Sequence, residues 1–367
     1  MKVYIIITQD KIGGAEKRFA GLWAQLVKNS DSNNTYYLVL SQNLLNELLE
    51  IDDLRETLKN YNSNIIIQQF SGSYIQNLKQ ANRFISDNNS KDCCFHFIEF
   101  FPVYFPVKAK VLFSMTASNL GIYSFIGQAF QYFGGLLATK IDILDPTIYQ
   151  NFKTLFWFKK KKISLTPCTY CNTEKFIIEE KKNWIVFLGI FTHIKQPLKY
   201  LQSIPTIFNK IESLKLADLK FYILGTDGME TEMKTEIKKD IYKNIPIEIL
   251  FTSNPETFLN KSKVFVSLQK FNNFPSKSLV EAMAAGNIPL VTDNGHTRLL
   301  ANENFSYYVK EDFANEEIAN EVFQIFSLNK DNSGAKANLA RKFVLENHTL
   351  SKMCAYYSNS FYNFTAK

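Results

Sequence analysis

No apolar run in this chain of 367 residues approaches the roughly 20 residues a helix needs to cross a bilayer. A membrane-spanning fold is therefore not expected. Nor does the start read as a secretory signal. Met1-Lys2-Val3-Tyr4-Ile5-Ile6-Ile7-Thr8 is too short, has no small-residue cleavage site, and reads as a first β-strand. Cysteine is scarce and odd in number: Cys93, Cys94, Cys168, Cys171 and Cys354 point to a reducing cytoplasm rather than a disulfide scaffold. Cys168-x-x-Cys171 has no second pair at zinc-site spacing and follows Leu165-Thr166-Pro167 in mid-chain, so its role is read as structural. Histidine is scarcer still, at positions 96, 193, 296 and 348, and no metal-ligand cluster is visible. His96, between Phe95 and Phe97, reads as a core residue. The fingerprint Gly-x-Gly-x-x-Gly is absent, which argues against a dinucleotide-dependent oxidoreductase. Internal repeats and low-complexity linkers are absent too.

What the chain does have is a mild positive excess, +7 from 42 basic and 35 acidic residues. The excess is too diffuse to argue for nucleic acid, but it suits a nucleotide diphosphate or an anionic membrane surface. The length suggests two domains, at about 150 residues each. Strand-like runs at 3–8, 36–40, 64–68, 93–97, 110–113, 141–144 and 163–166 alternate with helical patterns. The clearest of these is 13–28, with Phe19, Leu22, Trp23 and Leu26 on one face. A polar stretch from Asn172 to Asn183 marks a boundary. The rhythm then restarts, with strands at 184–189, 220–224 and 247–250, helices at 197–211, 229–239 and 255–259, and helices to the end after Ala314. Such alternation implies doubly wound parallel sheets.

Residues 265–295 are the most informative. An apolar run ends in a polar loop with Pro275, a short helix starts near Ser276 and holds Glu281, Gly286 stops it, and a second apolar run follows from Ile288 to Val291. That is the strand, helix, strand unit of a parallel sheet. Ligands of such sheets sit at the carboxyl ends of strands, beside helix N-termini. Glu281 is little more than a turn into the helix, within reach of a sugar hydroxyl, and Ser276, Lys277 and Ser278 offer backbone N–H groups to a diphosphate.

The run Glu281-Ala282-Met283-Ala284-Ala285-Gly286-Asn287-Ile288-Pro289-Leu290-Val291 resembles the donor-binding signature of the GT-B glycosyltransferases, family 4 (group 1) in particular, with one extra residue before the proline. The resemblance implies an α/β fold of two Rossmann-like doubly wound parallel-sheet domains facing a central cleft. The expected division is 1–175 for the acceptor domain, 176–349 for the donor domain, and 350–367 as a helix crossing back to the first domain. It also implies a retaining transferase that moves a sugar from a nucleotide diphosphate sugar, a UDP-sugar above all, to a hydroxyl of a glycan or lipid-linked acceptor. Surface polysaccharide synthesis in the cytoplasm is the expected setting, with neither cofactor nor metal. Glu281 would then hold the ribose. Asn272 or Asn273 stands where the signature has its first Glu and would touch the donor sugar, together with the backbone at Phe274 and Pro275.

Three further loops carry parts of the same pattern. Asp10-Lys11-Ile12-Gly13-Gly14-Ala15-Glu16 opens the first helix, and the related Gly-Gly-Ala-Glu loop of the family faces the donor phosphates and acceptor. Gly189-Ile190-Phe191-Thr192-His193-Ile194-Lys195-Gln196 resembles Gly-Arg-x-x-x-x-Lys-Gly, so Lys195 would neutralise the diphosphate, while Ile190 replaces the arginine. His193 is read as a bystander. Gly225 and Thr226 end the next strand near the nucleotide, or form a plain capped turn. Phe251 either stacks on the base or fills the core. His296 replaces an acid of the family, and no histidine follows Ser114-Met115, where many relatives carry one. These departures keep a second reading open, a catalytically degenerate GT-B scaffold acting as a binding or partner subunit. Finally, Phe156-Trp157-Phe158 followed by Lys159 to Lys162 reads as a helix end with its aromatics packed inward. A membrane interface, and so association with the inner face of a membrane, is the alternative.

Overall fold

The computed structural model describes residues 1–29, 34–71, 73–100, 108–115, 133–167, 169–225, 228–252, 254–272 and 274–364. Cys168, Thr226, Asn273 and the segment after Met115 lie outside the described residues. The chain divides into two compact units, Met1–Cys168 with Leu350–Lys367, and Thr169–Thr349.

The first unit runs β1 (Lys2–Ile7), α1 (Gly14–Lys28), β2 (Thr35–Leu40), α2 (Gln42–Leu49), α3 (Asp52–Asn60), β3 (Ile65–Ile67), α4 (Tyr74–Asp87), β4 (Cys93–Ile98), β5 (Lys110–Met115), β6 (Lys140–Ile143), α5 (Pro146–Leu155) and β7 (Ile163–Leu165). Every ladder is parallel, in the order β3-β2-β1-β4-β5-β6-β7. Sheets covered on both faces need strands that are apolar without alternation, and β4, buried along its whole length, is such a strand. The helix α1 lays Phe19, Leu22, Trp23 and Leu26 into the core, as its spacing predicts. After α5 the residues Trp157–Lys162 form a 3-10 turn, not the end of an α-helix. With three residues per turn, neighbouring side chains cannot all face inward. Phe156 is buried, but Trp157 and Phe158 are 69% and 56% exposed, which corrects the inward-packed reading of this stretch.

The second unit runs β8 (Lys182–Leu188), α6 (Pro197–Ile211), β9 (Lys220–Leu224), α7 (Glu230–Glu236), β10 (Ile247–Leu250), α8 (Glu256–Leu259), β11 (Ser262–Ser267), α9 (Lys277–Ala284), β12 (Ile288–Thr292), β13 (Tyr307–Val309), α10 (Asn315–Ser327) and α11 (Lys330–Asn347). Its six strands are again all parallel, in the order β10-β9-β8-β11-β12-β13. Among the described residues no helix is long and apolar enough to cross a membrane.

The last segment, α12 (Leu350–Tyr356) and a π-helical turn at Tyr357–Phe361, belongs to the first unit and is pinned there by buried polar groups. Tyr357 and Thr166 donate to one carboxylate oxygen of Asp142 at 2.6 and 3.0 Å, and the Ser114 hydroxyl donates to the other. With its proton so used, Ser114 Oγ accepts from His96 Nε2–H at 2.5 Å, and His96 Nδ1 accepts from the Tyr362 hydroxyl at 2.7 Å. The tautomer of His96 follows from this chain of donors. Burial, and secondarily the charge of Arg18, push the imidazole down to about 3, so it is neutral. Lys140 Nζ closes the segment by donating to the carbonyls of Ser360, Phe361 and Asn363 at 2.7, 3.1 and 2.8 Å. The expectation that His96 is a core residue is met.

Candidate functional site

In the second sheet the strand order reverses between β8 and β11, and a parallel sheet opens its ligand crevice beyond the carboxyl ends at such a point. The loops that leave these two strands are tied together. The N–H of Lys270 donates to the carbonyl of Ile194 at 2.9 Å. This bond places the loop of Lys195 beside the loop of Asn272.

Lys195 is half-buried, and its stem passes close to Gly189, where an added Cβ would lie 3.9 Å from Lys195 Cδ. Desolvation pushes its ammonium down to about 8. An anion arriving there would restore the charged form. Gln196 follows in a left-handed conformation, φ 56°, and starts α6 with Pro197 as its first helical residue. Sequence reading passed over Gln196. The signal was available, because the resembled pattern puts glycine after its lysine, where a positive φ costs little. Gln196 is buried and its Nε2 has no hydrogen-bond partner among the described residues. Ile190, in place of the arginine, is 57% exposed. His193 is exposed as well.

At the end of β9, Gly225 is required by space, since a side chain there would collide with the Gly189 carbonyl and the Phe191 ring. At the end of β10, Phe251 is 69% exposed, so it does not fill the core and its ring faces outward. On the other side of β8, the loop after β11 carries Asn272. Its side-chain oxygen accepts from the backbone N–H groups of His296 and Phe274, at 2.9 and 3.1 Å. Phe274 is buried and meets the His296 ring edge-on, which leaves only its backbone for a ligand. The Phe274–Pro275 peptide is cis. Ser276 caps α9 by accepting from the Leu279 N–H at 3.4 Å, and its hydroxyl lies 3.3 Å from that of Ser278. The N–H groups of Lys277 and Ser278 have no acceptor within the helix, as at any helix start. Glu281, with its side chain 12% exposed, pairs with Lys277 at 3.4 Å on the same face.

The far end of α9 is anchored, which fixes the direction of Glu281. Arg341 donates to the carbonyls of Ala284, Phe176 and Thr173, and Lys181 donates to that of Ala285 at 2.6 Å. Cys171 lies in the field of Glu281. Burial first, and that carboxylate second, push its thiol up to about 12, in keeping with a structural cysteine.

The second unit thus gathers Gly189, Lys195, Gly225, Phe251, Asn272, Phe274, Pro275, Ser276, Lys277, Ser278 and Glu281 at the carboxyl ends of four strands that are neighbours in its sheet. Gly13 and Gly14 belong to the first unit, after β1. There the Glu16 carboxyl is hydrogen-bonded by the Gly13 N–H, closing the start of α1 from within. Burial raises the Glu16 pKa, and a side chain at Gly13 would strike its carboxyl. Among the described residues no group of three or more His, Cys, Asp or Glu is placed to hold a metal ion.

Residues 172–342 match the family model for glycosyl transferases group 1. No curated protein matches the sequence. Solved structures resemble the whole chain at low identity. HepE of Anabaena in complex with UDP has a TM-score of 0.75 at 8% identity, over 98% of this chain and 99% of that one. A TarM variant of S. aureus in complex with fondaparinux, α-GlcNAc-glycerol and UDP has a TM-score of 0.74 at 10% identity, over 99% and 100%. Sucrose-phosphate synthase of Thermosynechococcus elongatus has a TM-score of 0.70 at 11% identity, over 98% and 96%. The chain therefore has the fold of the GT-B glycosyltransferases, and its residues 172–342 match the model of their group 1.

Proposed function

We propose that the chain is a retaining transferase of the family 4 type. It takes a sugar from a UDP-sugar and places it, with the anomeric configuration kept, on a hydroxyl of a glycan or lipid-linked acceptor in cytoplasmic synthesis of surface polysaccharide. The observation that carries this reading is the turn from Ser276 to Glu281. Helix N–H groups that suit a diphosphate and a little-exposed carboxylate that suits two ribose hydroxyls stand one turn apart at the switch point of the sheet. The UDP carried by HepE and by the TarM variant supports the choice of base. Lys195 holds the phosphates, with Gly189 and Gly225 leaving room for them. Phe251 stacks on the base, and Asn272, with the backbone of Phe274 and Pro275, lines the sugar. As the glycosidic bond to the phosphate breaks, the acceptor oxygen bonds to the anomeric carbon and its proton passes to the leaving phosphate, so no side-chain base and no metal are needed.

The test is donor binding and slow donor hydrolysis with UDP-, GDP-, ADP- and CMP-sugars, for the wild type and Glu281→Ala, with and without a chelator. Binding of a UDP-sugar and release of UDP, insensitive to the chelator and lost in the variant, is the expected result. Failure to bind any donor would replace this reading with that of a partner subunit.

A further inference from the structure

We propose that the first unit docks on an anionic lipid surface through the turn at Trp157–Lys162 and the apolar side chains around it. The proposal is independent of the donor reading, because every residue in it belongs to the first unit.

Trp157 and Phe158 are exposed at successive positions, and their rings contact each other with centroids 6.0 Å apart. Leu155, just before them, is 47% exposed. Phe156, between these exposed residues, is buried, and an added Cβ at Gly135 would lie 3.3 Å from its ring. The segment around Gly135 therefore lies against this turn. It brings Phe133, Leu136 and Leu137, which are 60%, 38% and 40% exposed. Single exposed apolar residues are ordinary, but a group with two large aromatics at its centre marks a contact surface.

The charge says what the surface contacts. Residues 133–165 hold six lysines, four of them consecutive at 159–162 on the same turn as Trp157, and two acids, Asp142 and Asp145. Both acids are buried, Asp142 within the network of the last segment and Asp145 as the cap of α5. The stretch thus carries six lysines against two acids that are both withdrawn from the surface, and Lys162 is exposed. Aromatic rings at the headgroup level with lysines among anionic headgroups is the arrangement an interfacial anchor takes. A protein interface of the usual kind is instead depleted of lysine.

The experiment is sedimentation of the full chain with vesicles of phosphatidylcholine alone and of phosphatidylcholine mixed with phosphatidylglycerol, with tryptophan emission as a second readout. Of the three tryptophans Trp23 is fully buried and Trp184 half-buried, so a shift on binding reports Trp157. Binding to the mixed vesicles alone, with a blue shift, is expected. Each lysine near an anionic surface should multiply the partition about fivefold, so Lys159→Glu with Lys161→Glu should weaken it by at least about tenfold. Trp157→Ala with Phe158→Ala should do the same with the melting temperature unchanged, since both side chains are exposed. Absence of binding to the mixed vesicles overturns the proposal, as does undiminished binding by either double variant. A concentration-dependent dimer that the Trp157 and Phe158 changes abolish, without vesicle binding, would assign the surface to a second copy and also overturn it.

Discussion

Asn272 and His296 join two loops of the second unit. The Asn272 side-chain oxygen accepts the backbone N–H of His296 at 2.9 Å, while Gly295, at φ 52°, presses against it so closely that an added Cβ would lie 2.7 Å from Asn272 Cβ. The same oxygen takes the Phe274 N–H, so one side chain shapes the approach to α9 from both sides. Asn272→Ala leaves two backbone donors without this acceptor and should cost about 1–2 kcal/mol, with a raised donor KM. Asn272→Glu, which restores the acid of the resembled signature, is longer by a methylene and should destabilise as well. Gly295→Ala should be at least as harmful, because it adds both strain and a clash. Thermal melts and donor titration of the three variants check this. A stable Asn272→Glu with ordinary donor affinity would show that the loop tolerates the change.

Lys195 gives donor binding a pH dependence with a definite sign. Desolvation pushes its ammonium down to about 8, and only the charged form neutralises a diphosphate. Below pH 8 the affinity should be flat. Above it, each pH unit should weaken binding by about tenfold, as linkage to a single proton requires. Lys195→Arg keeps its charge at every such pH and should remove the alkaline limb. Lys195→Ala should lose it too, at a uniformly low affinity. Calorimetric titration with UDP from pH 7 to about 9.5 distinguishes the three.

Much of the fold could be read because buried parallel strands are nearly continuous apolar runs. β1, β4, β9 and β12 stand out for that reason, and α1 stands out by its one apolar face. The site was legible where the constraint is local. Ser276 as a cap, Glu281 a turn later and Gly286 at the helix end follow from positions a few residues apart. What could not be read depends on partners distant in sequence or on direction. Nothing local says that His96 meets Tyr362, 266 positions away, or that the oxygen of Asn272 is taken by His296. Whether Phe251 faces inward or outward is decided by the edge position of β10. Trp157 and Phe158 would pack inward only at the end of an α-helix, and the chain makes a 3-10 turn there instead.

Ile190 occupies the place of a family arginine and is exposed at the mouth of the β8 loop. Ile190→Arg should therefore be accommodated without loss of stability. If the diphosphate lies between this loop and the start of α9, the new guanidinium adds a charge-assisted hydrogen bond to it. UDP affinity should rise by about tenfold, the equivalent of ~1.4 kcal/mol. Titration with UDP and with uridine separates the effect, since uridine has no phosphate and should bind both proteins alike.

Glu281 is expected to act on the ribose alone. Glu281→Gln removes the charge, keeps an acceptor, and breaks the pair with Lys277, whose half-exposed ammonium can be hydrated instead. Affinity for UDP should fall by about tenfold to a hundredfold, as for a lost hydrogen bond to a charged group. Affinity for 2′-deoxy-UDP, which starts lower in the wild type, should fall less. Equal losses for both nucleotides would place the carboxylate elsewhere than at the 2′-hydroxyl.

His96 makes the first unit acid-sensitive. Held neutral, with a pKa near 3 against about 6.5 in the unfolded chain, it takes up a proton on unfolding at any pH between these values. Its contribution is fully present above pH 6.5 and is lost as the pH falls toward 3, at up to about 1.4 kcal/mol per pH unit. His96→Gln has no titrating group but keeps a donor for Ser114 and an acceptor for Tyr362. It should be less stable than the wild type at pH 7.5, and the gap should narrow steadily on acidification. Denaturant unfolding from pH 7.5 to 4.5 measures that gap. A gap independent of pH would mean that the imidazole is not kept neutral by its burial between β4 and the last segment.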